Sequence, residues 1–171
     1  MVGTRWLSED EQRTWRTFVT ATKLLFDQLE QEIDVQTEVP SHHYEVLARL
    51  AEIPERRLRM SDLAELSQSS RSRLSHSIAR LESLGWIRRE ACQTDRRGAF
   101  AVLTDEGFSA LEAAAPVHVE GVRTHLFDQL DVEQLEELRQ ISERLLEHLV
   151  AVKQLSVEEL GRLGMPLRPR I

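Results

Sequence analysis

The hydrophobic positions of this chain recur every three or four residues over long stretches, which predicts a mainly α-helical protein. The first stretch predicts a helix over residues 9–33, and Ser8 and Glu11 have the spacing of a capping box at its start. Asp131 and Gln134 have the same spacing before a second long amphipathic stretch. The apolar stripes of the two helices are Trp15, Phe18, Val19, Thr22, Leu25, Phe26, Leu29 and Ile33, and Leu135, Leu138, Ile141, Leu145, Leu149 and Val152.

Three shorter helices are predicted in the middle of the chain. Ser41 is expected to cap the first, which ends before Pro54 because proline disfavours helical geometry in the residue before it. Ser61 is expected to cap a short second one. The third follows a polar turn and ends at Leu84, where Gly85 supplies the left-handed residue that commonly stops a helix.

Residues 86–90 and 99–103 are predicted to form two short strands joined by a tight turn at residues 95–98. Thr104 is expected to cap a fifth helix, which continues past Pro116 after a bend or break. The predicted fold is therefore a winged helix-turn-helix with a small two- or three-stranded β wing, set between long N- and C-terminal helices that form a dimerisation domain.

The last of the three shorter helices has an apolar back and a polar front. On a helical wheel, Ile78 and Leu81 fall within about 40° of Leu74 and form the packed side. Small side chains on the opposite half allow close approach to a DNA groove, and arginine and histidine reach base edges. A solvated surface helix is the alternative interpretation of this face taken alone. The predicted DNA contacts of the helix are Ser69, Arg71, Ser72, Arg73, Ser75, His76 and Arg80, with Arg73 and His76 selecting the sequence.

The charge of the chain is unevenly distributed, although the total is −7. Residues 55–100 hold ten arginines and six acidic residues, a net charge of +4, whereas the remainder carries −11. A basic region on an acidic body concentrates the attraction for phosphate on one face. All ten cations are arginine, which favours bidentate contacts.

The tip of the predicted hairpin adds a second basic element. Arg96 and Arg97 lie at the turn, and an arginine held there is suited to a narrow minor groove. Asp95 beside them is expected to pair with one arginine and fix its direction. An ordinary turn, with Asp and Gly chosen for backbone geometry, is the alternative.

Three linked segments resemble the MarR family of bacterial winged helix-turn-helix regulators: L-A-E-L at 63–66, R-L-E-S-L-G-W-I at 80–87 and D-R-R-G-A-F-A-V-L-T-D-E-G at 95–107. The resemblance implies a transcriptional regulator, usually a repressor, that binds a pseudo-palindromic operator on double-stranded DNA as a homodimer. It also implies control by a small molecule or an oxidant. His76 and Ala79 depart from the residues that relatives often carry, which affects the expected base preference and not the fold.

The two long apolar stripes predict a homodimer independently. An apolar stripe of eight large residues left without a partner would forfeit on the order of 10 kcal/mol, and a second copy of the chain hides it. An intrachain helical bundle is the alternative. We expect an N-terminal dimerisation arm at 1–40, a winged helix-turn-helix DNA-binding lobe at 41–104 and C-terminal helices of the dimerisation domain at 105–171.

The resemblance implies an effector site between the dimer arms and the DNA-binding lobe. Aromatic walls with a few polar tips suit a small aromatic or amphipathic ligand. Core packing and helix capping are the alternative roles for the same residues. The expected lining is Trp15, Phe18, Val19, His42, His43, Tyr44 and Leu47.

The remaining features exclude other classes or leave alternatives open. No apolar run approaches membrane-spanning length, no apolar signal core opens the chain, and Cys92 is the single cysteine, so a cytoplasmic location is expected. No catalytic motif supports an enzyme, and neither a cofactor nor a metal is expected, since His118 and His125 are too far apart to chelate one ion alone. The alternatives are a winged-helix module that binds protein, and a redox-sensing regulator that uses Cys92.

Overall fold

The computed structural model describes residues 3–66, 71–92 and 98–154, without the side chains of residues 54, 65, 66 and 71–73. This part of the chain is mainly α-helical, as predicted, and contains one small sheet. Short 3₁₀ turns at Pro54–Arg56 and Phe127–Gln129 add to it. The elements are α1 (Glu9–Gln36), α2 (Ser41–Glu52), β1 (Arg57–Arg59), α3 (Met60–Leu66), α4 (Arg71–Ser83), β2 (Ile87–Ala91), β3 (Ala99–Leu103), α5 (Asp105–His125) and α6 (Val132–Lys153).

The three strands form an antiparallel sheet in the order β1-β3-β2. In the central strand, Ala101 lies opposite Leu58 of β1 and Arg89 of β2. The sequence predicted β2 and β3, and the structure adds β1 between the turn after α2 and α3. The sheet therefore has three strands, the larger of the two numbers expected.

One hydrophobic core joins the middle helices to the sheet. It is built from buried side chains of α2, α3, α4, all three strands and α5, and it holds α4 firmly against the sheet. Its larger members are Val46, Leu47, Leu50, Leu58, Leu63, Leu74, Ile78, Leu81, Ile87, Leu103 and Leu111.

The long helices α1 and α6 are only lightly attached to this core. In α1, Leu29 and Ile33 are buried, whereas the apolar side chains nearer its N-terminus are exposed. Helix α1 meets α5 at Gly121, and there Nε2 of His125 lies 2.7 Å from Oε1 of Glu32. Helix α6 has no buried residue within the described part of the chain. No described helix combines the length and hydropathy needed to cross a membrane.

Most of the predicted helix caps are present. Ser8 with Glu11 and Asp131 with Gln134 form reciprocal capping boxes, and Thr104 Oγ1 accepts a hydrogen bond from the Gly107 amide at 3.0 Å. Helix α5 runs through Pro116 as one helix.

Two predicted caps are wrong. Pro40 occupies the cap position of α2, and Ser41 is its first helical residue, because the Ser41 amide and hydroxyl both donate to the Asp34 carboxylate. Helix α3 begins at Met60, directly after β1, so Ser61 already lies inside the helix.

Candidate nucleic-acid interface

Helix α4 has the two faces that its sequence predicted. Leu74, Ile78 and Leu81 are buried in the core, while Ser75, His76 and Arg80 are exposed on the other side. Nη1 of Arg80 donates to the Ser83 hydroxyl at 3.4 Å. The packing of three aliphatic side chains thus presents a polar face to solvent.

The structure places the other predicted DNA contacts only in part. The backbone of Arg71, Ser72 and Arg73 forms the first turn of α4, but their side chains are outside the described part of the chain. Ser69 and the hairpin-tip residues lie outside the described residues altogether; the latter are Asp95, Arg96 and Arg97.

A tight junction leads from α4 into the sheet. Gly85 has a φ of 75°, and its amide donates to the Glu82 carbonyl while the Trp86 amide donates to the Leu81 carbonyl. These two bonds are those of a Schellman motif, which satisfies carbonyls at the end of the helix. Thr104 Oγ1 donates to the Gly85 carbonyl at 2.7 Å, so the start of α5 is joined to the same turn.

The outer face of the sheet is rich in arginine, a feature that the sequence pattern did not predict. The guanidinium carbon of Arg57 lies 3.8 Å from the ring centroid of Phe100, and that of Arg59 lies 5.1 Å from it. Glu90 pairs with Arg57 at 3.2 Å and with Arg88 at 2.7 Å. Glu90 thus pairs with two of the three guanidinium groups, so the described part of this face stays positive. The R-L-R alternation of β1 was the available signal.

The residues expected to bind an effector fall into two groups. Trp15, Phe18 and Val19 are exposed on α1, about three to four turns before Leu29. The other four lie on α2, where His42 is exposed and Tyr44 is half-buried, with its ring centroid 5.2 Å from that of His118.

The other two residues of α2, His43 and Leu47, are buried. Leu47 is fully buried, and His43 is 5% exposed with no hydrogen-bond partner for Nδ1 among the described residues. Burial lowers the pKa of His43 to about 4, with smaller contributions from the charges of His42 and Arg80. His43 is therefore a neutral imidazole at physiological pH.

The geometry gives little support to a redox role for Cys92 or to a metal site. Cys92 is buried at 7% exposure, which limits the access of an oxidant to its thiol. No group of three His, Cys, Asp or Glu side chains converges on a metal site within the described ranges.

The comparisons with known proteins agree with this architecture. Residues 37–98 match a sequence model of the MarR family. The structure of Sco3205, a MarR family transcriptional regulator from Streptomyces coelicolor in complex with DNA, is 46% identical, covers 87% of this chain and 93% of that chain, and superposes with a TM-score of 0.76. The chain belongs to the MarR family. It is a winged helix-turn-helix transcriptional regulator, and since this class is not enzymatic, the expectation of a non-enzyme is confirmed.

Two further relatives define how far the similarity extends. The MarR-family regulator AbsC from S. coelicolor is 44% identical over 86% of this chain and 99% of that one, with a TM-score of 0.74. The HTH-type transcriptional regulator PecS of Dickeya dadantii (strain 3937) is 33% identical over 90 residues. The chain spans 54% of the length of PecS, and the matched part is 53% of this chain.

Proposed function

We propose that this MarR-family regulator binds a pseudo-palindromic operator on double-stranded DNA as a homodimer. In this proposal it acts as a repressor, and a small aromatic or amphipathic effector releases it. The observation that carries the DNA-binding part is the exposed Ser, His and Arg face of α4 opposite its buried aliphatic stripe. Such a face enters the major groove in helix-turn-helix proteins.

The charge distribution and one relative support the same interface. The arginine-rich segment at residues 55–100 contains β1, α4, β2 and the first two residues of β3, so its net charge of +4 belongs to the part of the chain that carries the polar face of the helix. Sco3205, which shares 46% of its residues with this chain, was solved in complex with DNA. We propose that residues 41–104 are the DNA-binding lobe.

The exposed apolar side chains of the long helices support the homodimer. Trp15 is 59% exposed and Leu145 49% exposed, and each lies in a part of the apolar stripe of α1 or α6 that is exposed among the described residues. Residues 1–40 and 105–171 are the proposed dimerisation parts. A two-fold axis through them would set two copies of α4 about 34 Å apart, one turn of DNA.

The effector site is proposed at the base of these helices. Tyr44 and His118 place two polar aromatic rings between α2 and α5, and burial lowers the pKa of His118 and raises that of Tyr44. Both rings are then neutral at physiological pH, which suits an aromatic ligand. An effector bound there shifts the protein between two states by no more than its difference in affinity for them.

The test is binding of the purified protein to fragments of its own genome over a range of salt concentrations. Direct binding to an operator predicts selected fragments with a shared pseudo-palindrome and an affinity that falls steeply with salt, because counterions are released from phosphates. Phenolic compounds are expected to weaken this binding.

Three results would argue against parts of the proposal. Failure to retain any genomic fragment at low salt contradicts DNA binding and favours the protein-interaction module. An unchanged affinity across a broad panel of aromatic compounds contradicts the effector. Release by peroxide in the wild type, lost in Cys92→Ser, would instead favour the redox-sensing alternative.

A further inference from the structure

Arg89 of strand β2 reaches across to the flank of α4 and contacts it at two levels. Its Nε lies 3.0 Å from Oε2 of Glu82, and its Nη2 donates to the main-chain carbonyl of Ser75 at 3.3 Å. The Arg89 amide also donates to Oε1 of Glu82 at 3.2 Å. Three contacts therefore connect one strand residue to the helix.

These contacts span the part of α4 that faces outward. Ser75 and Glu82 are seven residues apart, which places them on the same side of the helix and about 10 Å apart along its axis. Ser75 belongs to the exposed polar face, and Glu82 belongs to the last turn before the Gly85 junction. A rotation or slide of α4 relative to β2 would break both ends of this contact.

The backbone of Arg89 is fixed by strand pairing in the sheet. Arg89 lies opposite Ala101 of β3, and the two strands continue in register to the pair Ala91 and Ala99 at the base of the hairpin. The orientation of the paired strands β2 and β3 is thus tied to the rotation of α4 about its axis.

We propose that Arg89 is a positioning residue for DNA recognition: with Glu82 and the Ser75 carbonyl it forms a clamp that fixes the wing relative to α4. The clamp makes the helix and the wing fit one duplex at the same time. This inference depends on the proposed function, since it assumes that both elements contact the same DNA.

A direct phosphate contact is the competing role, because Arg89 is 36% exposed and positively charged. The two roles differ in what they demand of the side chain. The clamp needs the forked guanidinium, which contacts Glu82 and Ser75 together, whereas a lysine ammonium is a point charge. A phosphate contact needs mainly the charge, and Glu82 beside it would then weaken binding.

The two roles of Arg89 predict opposite effects of Glu82→Gln on the affinity for DNA. It removes a negative charge near the DNA-facing surface, so a phosphate role for Arg89 predicts tighter binding of a genomic duplex selected by the wild type. The clamp predicts about fivefold weaker binding, with the dependence on salt unchanged, because a charge-assisted contact in a half-exposed site is lost. Arg89→Lys and Arg89→Gln are expected to lose similar affinity. The double variant Glu82→Gln/Arg89→Gln is expected to be no weaker than either single variant.

Arg88→Gln is the matched control, because it removes the same charge from the adjacent residue, which pairs with Glu90 of its own strand. A DNA-free measurement completes the test. Hydrogen exchange of the β2 and β3 amides in the free protein is expected to rise in Arg89→Gln and Arg89→Lys but not in Arg88→Gln.

The outcomes separate the clamp from the function on which it rests. If the wild type binds DNA and Glu82→Gln binds at least as tightly, or Arg89→Lys binds like the wild type, the clamp is overturned and DNA binding stands. If the wild type binds no genomic duplex, the proposed function is overturned and with it the role of the clamp in recognition. Unchanged hydrogen exchange in both Arg89 variants would overturn the clamp without any DNA.

Discussion

The α-carbon of Gly107, in the first turn of α5, lies against the backbone carbonyl oxygen of Trp86 with no room for a side chain between them. A β-carbon built on Gly107 would overlap that oxygen and come within 2.8 Å of Cδ1 of Leu103. The Trp86 carbonyl also accepts the Thr104 amide at 3.1 Å. The Leu-Thr-x-x-Gly part of the family resemblance thus has a structural reason: threonine caps α5 and glycine lets it approach the start of β2.

Gly107→Ala is expected to lower the free energy of unfolding by about 2 kcal/mol, since backbone atoms must move to admit the methyl group. Helix propensity alone predicts the opposite sign, because alanine is favoured over glycine inside a helix by up to about 1 kcal/mol. Urea denaturation of the two proteins measures the difference. Gly3→Ala, where no atom lies within 4 Å of the added carbon, is the control and is expected to leave stability unchanged. A more stable Gly107→Ala variant would contradict the close contact.

The sequence predicted the elements whose signals are local. The buried face of α4 followed from the spacing of Leu74, Ile78 and Leu81, because helical periodicity is contained within one segment. Both capping boxes followed in the same way, since each joins residues three apart. The winged helix-turn-helix architecture followed from the order of these elements.

The features that the sequence missed depend on contacts between distant residues. Strand β1 is only three residues long and is defined by pairing with β3, so Leu58 meets Ala101 across more than forty residues of chain. The Asp34 carboxylate accepts hydrogen bonds from both the amide and the hydroxyl of Ser41, and no capping pattern predicts this contact. Arg89 was counted only as part of a basic segment, since nothing in its own strand shows that it reaches α4.

His76 and Arg80 are expected to contribute differently to operator binding. His76→Ala should relax the preference at one base-pair position, where a base contact is worth about 1–3 kcal/mol. Arg80→Ala should weaken binding to all sequences alike and reduce the slope of log affinity against log salt by about one, as expected for a phosphate contact. Selection of binding sites from a random duplex library measures the first effect, and salt titration measures the second.

Arg123→Ala is the charge control for these two variants. Arg123 is a cation of α5 that pairs with Asp128 at 3.6 Å, outside the proposed interface, so its loss should leave both the preference and the slope unchanged. If Arg80→Ala behaves like Arg123→Ala, the assignment of Arg80 to a phosphate is wrong.

Leu145→Glu is expected to dissociate the proposed dimer. Leu145 lies in the exposed apolar stripe of α6 with Ile141 and Leu149, and a carboxylate buried in that interface would lack a partner. Sedimentation equilibrium at micromolar concentration should then show a monomer, and operator affinity should fall because two half-sites are no longer bound together. Arg144→Glu places the same residue type on the neighbouring exposed position and should remain dimeric. A monomeric wild type would contradict the dimer outright.

The stability of the protein is expected to fall as the pH falls from about 7 towards 4, and His43 is a main cause. Burial lowers the pKa of His43 from 6.5 to about 4, so between these pH values the unfolded chain binds a proton that the folded protein does not. Protonation therefore favours the unfolded state in this range, and the loss from His43 alone is about 2 kcal/mol between pH 7 and pH 5. The lowered pKa of His118 acts in the same direction, so the His43 part must be isolated by mutation.

The variant His43→Gln isolates the contribution of His43 to the pH dependence of stability, because glutamine is polar and does not titrate. The variant is expected to start from a lower stability at pH 7, since the site is packed, but to lose about 2 kcal/mol less than the wild type on going to pH 5. Urea denaturation of both proteins at several pH values gives the two slopes, and their difference depends only on the proton binding of His43. Parallel slopes would show that His43 is protonated in the folded protein as readily as in the unfolded chain. That outcome would contradict the buried position of this side chain, which is 5% exposed and has no partner for Nδ1 among the described residues.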